Sequence, residues 1–360
     1  MKKRNILNLI KYHYEKDEIA FNGEVIEVAK YFDSIGDDEL ANYVLSLRGI
    51  SAEDLVAQSN NKDFEINSEF LERITIDKIE DLHLPAAIID DIKGIINAID
   101  HKSGINKFLF QGPPGTGKTE AVKNVARILK RSLYSVNFES LVDSKLGQTN
   151  KNIINLFDEI NAIPFSDRIV ILFDEMDAIA LDRINSNDVR EMGRVTSTVL
   201  KELDKLFSHN KDIVIIATTN LFSSFDKALI RRFDATINFD RYTQEDLIDV
   251  AKYYLEAIIK KFEGASLDVR VFKKILKLVK KLPYPGELKN IIKTSLAFSE
   301  KGSKFGYLIR IYNSLVGGLD NKKYDEIHKE GFTVREIEIL KEKSKSSVAR
   351  EIKKELDNNE

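Results

Sequence analysis

Gly112-Pro-Pro-Gly-Thr-Gly-Lys-Thr119 decides how this chain is read. It follows a short apolar run, Lys107-Phe-Leu-Phe-Gln111, and opens an amphipathic stretch, which is the strand–loop–helix context that a phosphate-binding P-loop requires. The backbone N–H groups across Gly112, Pro113, Pro114, Gly115, Thr116 and Gly117 (the prolines contribute none), with the positive end of the following helix, are expected to cradle β- and γ-phosphates. Lys118 adds a point charge, and Thr119 offers a hydroxyl to Mg2+.

Two further apolar runs end in polar groups. Ile169-Val-Ile-Leu-Phe-Asp-Glu175 reads as a buried strand closing on two acids. Such an ending fits a strand whose carboxyl edge is a polar site, the usual place for ligands in open α/β sheets. Asp174 is then expected in the Mg2+ shell, and Glu175 as the group that orients or deprotonates the attacking water. Asp177 reads as a local cap. Ile213-Val-Ile-Ile-Ala-Thr-Thr-Asn220 ends in an amide that can hydrogen-bond both a γ-phosphate and the water, which makes Asn220 a candidate sensor.

Around these motifs strands and helices alternate. Ser132–Asn137, Arg168–Phe173, Asp212–Thr218 and Ala235–Phe239 join Lys107–Gln111 as strand candidates. Ile88, Ile92, Ile95, Ile96 and Ile99 stripe one helix, and Val189, Met192, Val195, Val199, Leu203 and Leu206 another. The expectation is an α/β fold with a five-stranded, mostly parallel sheet covered on both faces. Residues 1–57 read as a bundle of three short helices, 58–78 as a polar linker around Gln58–Asp63, and 79–242 as the α/β domain. Thr243-Gln-Glu-Asp246 reads as a capping box that opens a small all-helical domain over 243–316. A charged helical segment occupies 317–360.

Composition narrows the chemistry. The 360 residues are 43% apolar, enough for ordinary cores, and 55 Lys+Arg against 58 Asp+Glu give a net charge of −3, so any nucleic-acid or membrane binding must be local. There is no cysteine, which excludes disulfides and thiolate chemistry and fits a cytoplasmic location. The five histidines lie far apart without His-Glu-x-x-His spacing, so a zinc hydrolase has no support. No apolar run approaches the ~20 residues of a membrane helix. The Ile6–Ile10 run, broken by Asn8 and followed by Lys11, makes a poor signal peptide.

Taken in order, GPPGTGKT, Phe-Asp-Glu-Met-Asp177, Ala-Thr-Thr-Asn220 and Phe225-Asp-Lys-Ala-Leu-Ile-Arg-Arg-Phe-Asp234 resemble an AAA+ ATPase of the AAA clade over about residues 80 to 300, closest in plan to compact bacterial single-ring members. The resemblance implies ATP as the nucleotide, sites between the subunits of a hexameric ring, and hydrolysis that remodels a protein partner. It gives Arg231 and Arg232 the arginine-finger role across that interface. It makes 243–316 the lid, where Lys289 stands at the position of a sensor-2 arginine and is expected to touch the nucleotide, and residues 1–57 an adaptor or docking bundle. Ser140–Thr149 resembles the first pore loop, with Lys145 where an aromatic residue is usual. That departure favours brief or charge-selective engagement over processive threading. Two other implied roles are an ATP-switched DNA-binding or scaffold protein, and a regulatory ATPase subunit for a separate effector such as a protease.

Phe332–Leu356 reads as a helix-turn-helix with Ile337, Leu340, Val348 and Ile352 inside and Lys345, Ser347, Arg350, Lys353 and Lys354 presented by the second helix, which makes DNA a candidate partner of residues 332–356. Glu342 replaces the usual small turn residue. Seven basic against five acidic residues is a small excess for phosphate binding.

Overall fold

The computed structural model describes residues 3–15, 17–46, 66, 68–76, 83–141, 148–163, 166–177, 189–209, 212–221 and 227–357. Its contacts divide the chain into two units: Met1–Leu82 with Ile88–Gly112 and Lys118–Phe239, and His83–Ala87 with Pro113–Gly117 and Asp240–Glu360.

The first unit opens with the three expected helices, α1 (Lys3–Glu15), α2 (Glu18–Ser34) and α3 (Asp38–Ser46). Asp17 caps α2 by accepting from the Ala20 N–H at 3.0 Å, and the amides of Asn5 and Asn8 donate to Glu24 at 2.7 and 3.0 Å. Ile26, Val28, Ala29 and Ala41 are buried in this bundle.

The sheet comprises β1 (Leu71–Ile74), β2 (Lys107–Gln111), β3 (Ser132–Val136), β4 (Ile169–Phe173), β5 (Val214–Thr219) and β6 (Ala235–Asn238), in the order β1-β3-β4-β5-β2-β6. All neighbours are parallel except β1, which runs antiparallel to β3 with Leu71 opposite Val136. The five expected strands are present. The sixth, β1, lies in the stretch 58–78 assigned to a linker; the rest of that stretch is largely outside the described residues. Its sequence, Leu-Glu-Arg-Ile, buries only Leu71, so it carries too little apolar pattern to announce a strand.

Every side chain of β4 and β5 is buried, as parallel strands covered on both faces should be. The helices of this unit are α4 (Ala86–Asp100), α5 (Lys118–Ile128), α6 (Phe138–Leu141), α7 (Gln148–Ala162), α8 (Val189–His209) and α9 (Lys227–Ile230). Leu156, Phe157 and Ile160 of α7 and Val199, Leu203 and Leu206 of α8 enter one core with Ile171, Phe173, Ile215 and Ala217. Burying each large side chain there stabilises the unit by about 1.5–3 kcal/mol. That core holds the polar ends of β4 and β5 in place.

The second unit is helical: α10 (Gln244–Ile258), α11 (Val269–Leu278), α12 (Pro285–Ala297), α13 (Gly306–Leu315), α14 (Tyr324–Lys329), α15 (Val334–Lys341) and α16 (Lys345–Asp357). The expected capping box opens α10, with Thr243 Oγ1 accepting from the Asp246 N–H at 3.1 Å and Asp246 Oδ2 accepting from the Thr243 N–H at 2.9 Å. Ile337, Leu340, Val348 and Ile352, expected inside the last helix pair, are buried in the same apolar cluster as Leu247, Phe272 and Tyr307. Buried Glu336 accepts from Lys274 Nζ at 2.6 Å and from the Thr333 N–H at 2.7 Å, with Arg270 Nε 3.0 Å away. Burial alone would raise its pKa, but Lys274 and the Thr333 donors hold it below the usual carboxylate range.

Candidate active site

The functional groups of the first unit gather at the carboxyl ends of β4 and β5 and at the start of α5. Lys118, 6% exposed, donates from Nζ to the Gly112 carbonyl at 2.6 Å and to Asn220 Oδ1 at 2.8 Å. Burial pushes its pKa down, and the nearby charges of Asp174, Asp177 and Glu175 oppose that shift. Thr119 Oγ1 donates towards both oxygens of Asp174, at 3.0 and 3.2 Å. Asn220 Nδ2 donates to Glu175 Oε1 at 3.2 Å. The P-loop lysine and threonine, the two acids and the amide, read from three separate stretches of sequence, thus form one hydrogen-bonded set.

Glu175 has φ +50°, a left-handed conformation rare outside glycine. Residues held this way cost about 1–3 kcal/mol and need surrounding structure to over-determine them. Here Thr218 supplies that support. Its Oγ1 accepts from the Glu175 N–H at 2.8 Å and donates to Asp174 Oδ1 at 2.7 Å, and its carbonyl accepts from the Met176 N–H at 2.9 Å. Sequence reasoning passed over Thr218; a polar side chain at the end of an otherwise apolar strand was the available signal. Asp177 Oδ1 accepts from the Asn220 N–H at 3.1 Å, so instead of capping its own turn, as expected, it ties the end of β4 to the residue that follows β5.

Thr119 and Asp174 offer only oxygen ligands, and the donor set suits a hard cation such as Mg2+. Among the described residues, no three His, Asp or Glu side chains cluster in a way that could hold a metal.

The loop Pro113–Gly117 makes its contacts within the helical unit. Thr116 Oγ1 donates to the Pro113 carbonyl at 2.9 Å, and the Thr116 carbonyl accepts from the Tyr242 hydroxyl at 2.9 Å. At the start of α12 the Gly286 N–H donates to the Gly115 carbonyl at 2.9 Å. A Cβ on Gly286 would meet Gly115 Cα at 3.0 Å, so the position is glycine because two backbones touch there, and Gly115 itself has φ +77°. Tyr242 left no motif to find, and Gly286, though it opens Gly286-Glu-Leu-Lys289, gave no sign of its close approach to Gly115. Lys289, one turn further along α12, places Nζ 5.6 Å from the centre of the Tyr254 ring.

The paired arginines have different surroundings. Arg232 Nε lies 3.1 and 3.2 Å from the oxygens of Asp204 on α8. Arg231 is exposed and has no hydrogen-bond or ion-pair partner among the described residues. Lys145 and its neighbours at 142–147 lie outside the described residues.

Comparison with known proteins agrees with this geometry. Residues 108–241 match the family model "ATPase family associated with various cellular activities (AAA)". An uncharacterized AAA family ATPase, y4kL, of Sinorhizobium fredii is 34% identical over 186 residues, 49% of this chain and 54% of that protein. The peroxisomal ATPase pex6 of Schizosaccharomyces pombe is 38% identical over 141 residues, 38% of this chain and 14% of its own. A putative 26S proteasome regulatory subunit homolog of Methanothermobacter thermautotrophicus is 34% identical over 150 residues, 42% of this chain and 39% of its own. The chain therefore spans about half the length of the first of these relatives and less of the others. Among solved structures, C. elegans PCH-2 superposes with a TM-score of 0.55 at 16% identity, covering 68% of this chain and 74% of that one. A chain of the E. coli HORMA:CdnC:Trip13 complex gives 0.52 at 17%, covering 68% and 94%. At these identities the structural likeness speaks for the fold alone. With Lys118, Thr119, the acidic strand end and the Asn220 amide already joined in one site, the chain carries, at residues 108–241, an ATPase domain of the AAA family.

Proposed function

We propose that this protein hydrolyses ATP with Mg2+ at the subunit interfaces of a cytoplasmic, hexameric ring and uses the cycle to remodel a protein or protein complex. The observation that carries the reading is the set Lys118, Thr119, Asp174, Glu175 and Asn220, joined by hydrogen bonds at the strand ends. In this reading Lys118 holds phosphate oxygens, Thr119 and Asp174 hold the cation shell, Asn220 senses the terminal phosphate, and Glu175 orients the water and takes its proton. Bound Mg2+ would neutralise charge that builds on the phosphate oxygens. Arg231, exposed and without a partner among the described residues, is the arginine available to a neighbouring subunit, whereas Arg232 is held by Asp204 of its own chain. In the same reading Lys289 of α12 takes the sensor-2 role that the resemblance implies.

Residues 1–57 serve as the docking part. On α1, Ile6, Leu7, Ile10 and Tyr14 are exposed at spacings of three and four, an apolar stripe suited to a protein partner. The relatives named a peroxisomal ATPase and a proteasome regulatory subunit homolog support work on proteins.

Steady-state ATP hydrolysis against protein concentration tests the proposal. Specific activity that climbs with concentration and disappears in Arg231→Ala supports trans-acting arginines. Activity independent of concentration and kept by the variant overturns them. The 34% identity to the putative proteasome regulatory subunit homolog favours a second reading, an ATPase subunit that serves a separate protease. ATP-driven remodelling by the isolated chain would count against it.

A further inference from the structure

The last three helices of the second unit, α14, α15 and α16, form a compact trihelical group whose charge distribution differs from its composition. In Phe332–Leu356 four of the five acids are engaged, Glu342 by accepting from Ser303 Oγ at 3.3 Å. Glu336 is buried against Lys274 and Arg270, Glu355 accepts from the Asp325 N–H at 2.9 Å, and Glu351 pairs with Lys354 at 3.5 Å. One of the seven bases is also turned inward: Lys341 Nζ donates to the Lys322 carbonyl at 2.9 Å and caps the preceding loop. Arg335, Lys343, Lys345, Arg350 and Lys353 are all exposed and have no hydrogen-bond or ion-pair partner among the described residues. Five cations thus face solvent without a partner among the described residues, against one such acid, Glu338.

The turn has the required shape as well. Helix α15 ends at Lys341 and α16 begins at Lys345, and Glu342 between them takes φ +50° and ψ +38°. This is the left-handed conformation that glycine usually supplies in a helix-turn-helix, so replacing the small residue by Glu342 did not abolish the turn. Ser344 Oγ accepts from the Ser347 N–H at 3.4 Å and opens the second helix. At about 100° per residue, Ser346, Ser347, Arg350, Lys353 and Lys354 fall within an arc of about 120° centred opposite buried Val348 and Ile352. By the same spacing Asp357, the last residue of α16, also falls in this arc, so the face turned away from the core carries two hydroxyls and three cations with one acid at its C-terminal end.

We propose that α16 docks double-stranded DNA through this face. Arg350 and Lys353 neutralise backbone phosphates, and Ser346, Ser347 and Lys345 lie in the first turn, the part of a second helix that reaches base edges in the major groove. Hydroxyls beside fixed cations fit a polyanion with regularly spaced phosphates. An acidic peptide would need apolar contacts as well, and this face has none.

The test is fluorescence anisotropy of the full chain with a labelled mixed-sequence duplex of about 30 base pairs, titrated across salt. The wild type should bind at low salt. Arg350→Glu with Lys353→Glu should bind at least about tenfold more weakly and reduce the slope of log K against log salt by about 2, since each phosphate contact contributes about 0.9. Both side chains are exposed, so the thermal melt should not change, and ATP hydrolysis should persist. Ser346→Glu, which alters the same face without removing a cation, should also weaken binding. No wild-type binding at low salt, equal binding by the double variant, or tighter binding of polyglutamate than of the duplex would overturn the proposal.

Discussion

Charged side chains lie buried in both units, Lys118 and Asp177 among the strand ends and Glu336 and Asp325 among the helices, but their partners differ in kind. Each buried acid of the helical unit has its own cation: Glu336 has Lys274 and Arg270, and Asp325 has Lys329 at 2.9 Å. At the strand ends the acids are met by neutral donors, Asp174 by the hydroxyls of Thr119 and Thr218 and Glu175 by the Asn220 amide. A closed ion pair satisfies its charges and contributes to architecture. An acid hydrogen-bonded by hydroxyls and amides, with Lys118 near but bonded to the Gly112 carbonyl and Asn220, keeps most of its charge available to an incoming cation, water or phosphate-bound metal. The two arginines repeat the contrast, with Arg232 closed on Asp204 and Arg231 open.

If that contrast is right, substitutions of open groups should cost activity and spare stability, and substitutions of closed groups should do the reverse. The largest effect is expected for Arg231→Ala, a loss of about 10³-fold or more in ATP hydrolysis with an unchanged melting temperature. Glu175→Gln should lower hydrolysis by about 10²–10⁴-fold while a fluorescent ATP analogue still binds; loss of that binding would show that Glu175 supports the fold of the site instead. On the closed side, Glu336→Gln weakens charged hydrogen bonds and should cost about 1.5–3 kcal/mol of stability, read by denaturant unfolding, with hydrolysis per folded molecule retained. Its pH dependence has a definite sign. Because the folded pKa of Glu336 is depressed, its contribution is present above the unfolded value of about 4.3 and is lost as pH falls through the folded value. The wild type should therefore lose stability on acidification below about pH 4 more steeply than Glu336→Gln. The smallest effect is expected for Arg232→Ala, about 1 kcal/mol or less, because its pair with Asp204 is partly exposed. A loss of hydrolysis in Arg232→Ala as large as in Arg231→Ala would break the distinction between them.

The open groups were legible in the sequence and the closures were not. Runs such as Ile169–Phe173 announce themselves because parallel strands covered on both faces must be apolar throughout, and an acid or amide at the end of such a run then stands out. The glycine loop has fixed spacing. By contrast, Arg231 and Arg232 are indistinguishable as letters, and what separates them is Asp204 on another helix. Strand β1 buries one side chain and owes its place to antiparallel pairing with β3. Tyr242 acts through a tertiary contact that no local pattern encodes. Glu342 was the most misleading letter. It looked like a departure from the turn, yet the backbone there is left-handed all the same.

The burial of β4 and β5 also has a consequence for how the molecule breathes. Their pairing joins Val170–Phe173 to Val214–Ala217, and β5 pairs in turn with β2, about a hundred residues earlier in sequence, so these strands close long loops and should complete late in folding. Once formed, their amides are shielded on both faces and should exchange with deuterium only through opening near the global limit. Asp174 and Glu175 sit at the end of one of these strands, and Asn220 at the end of the other. The proposed chemistry thus hangs from the slowest-exchanging part of the protein, and nucleotide-dependent motion should register in exchange at the peripheral helices while the amides of β4 and β5 stay protected throughout the cycle.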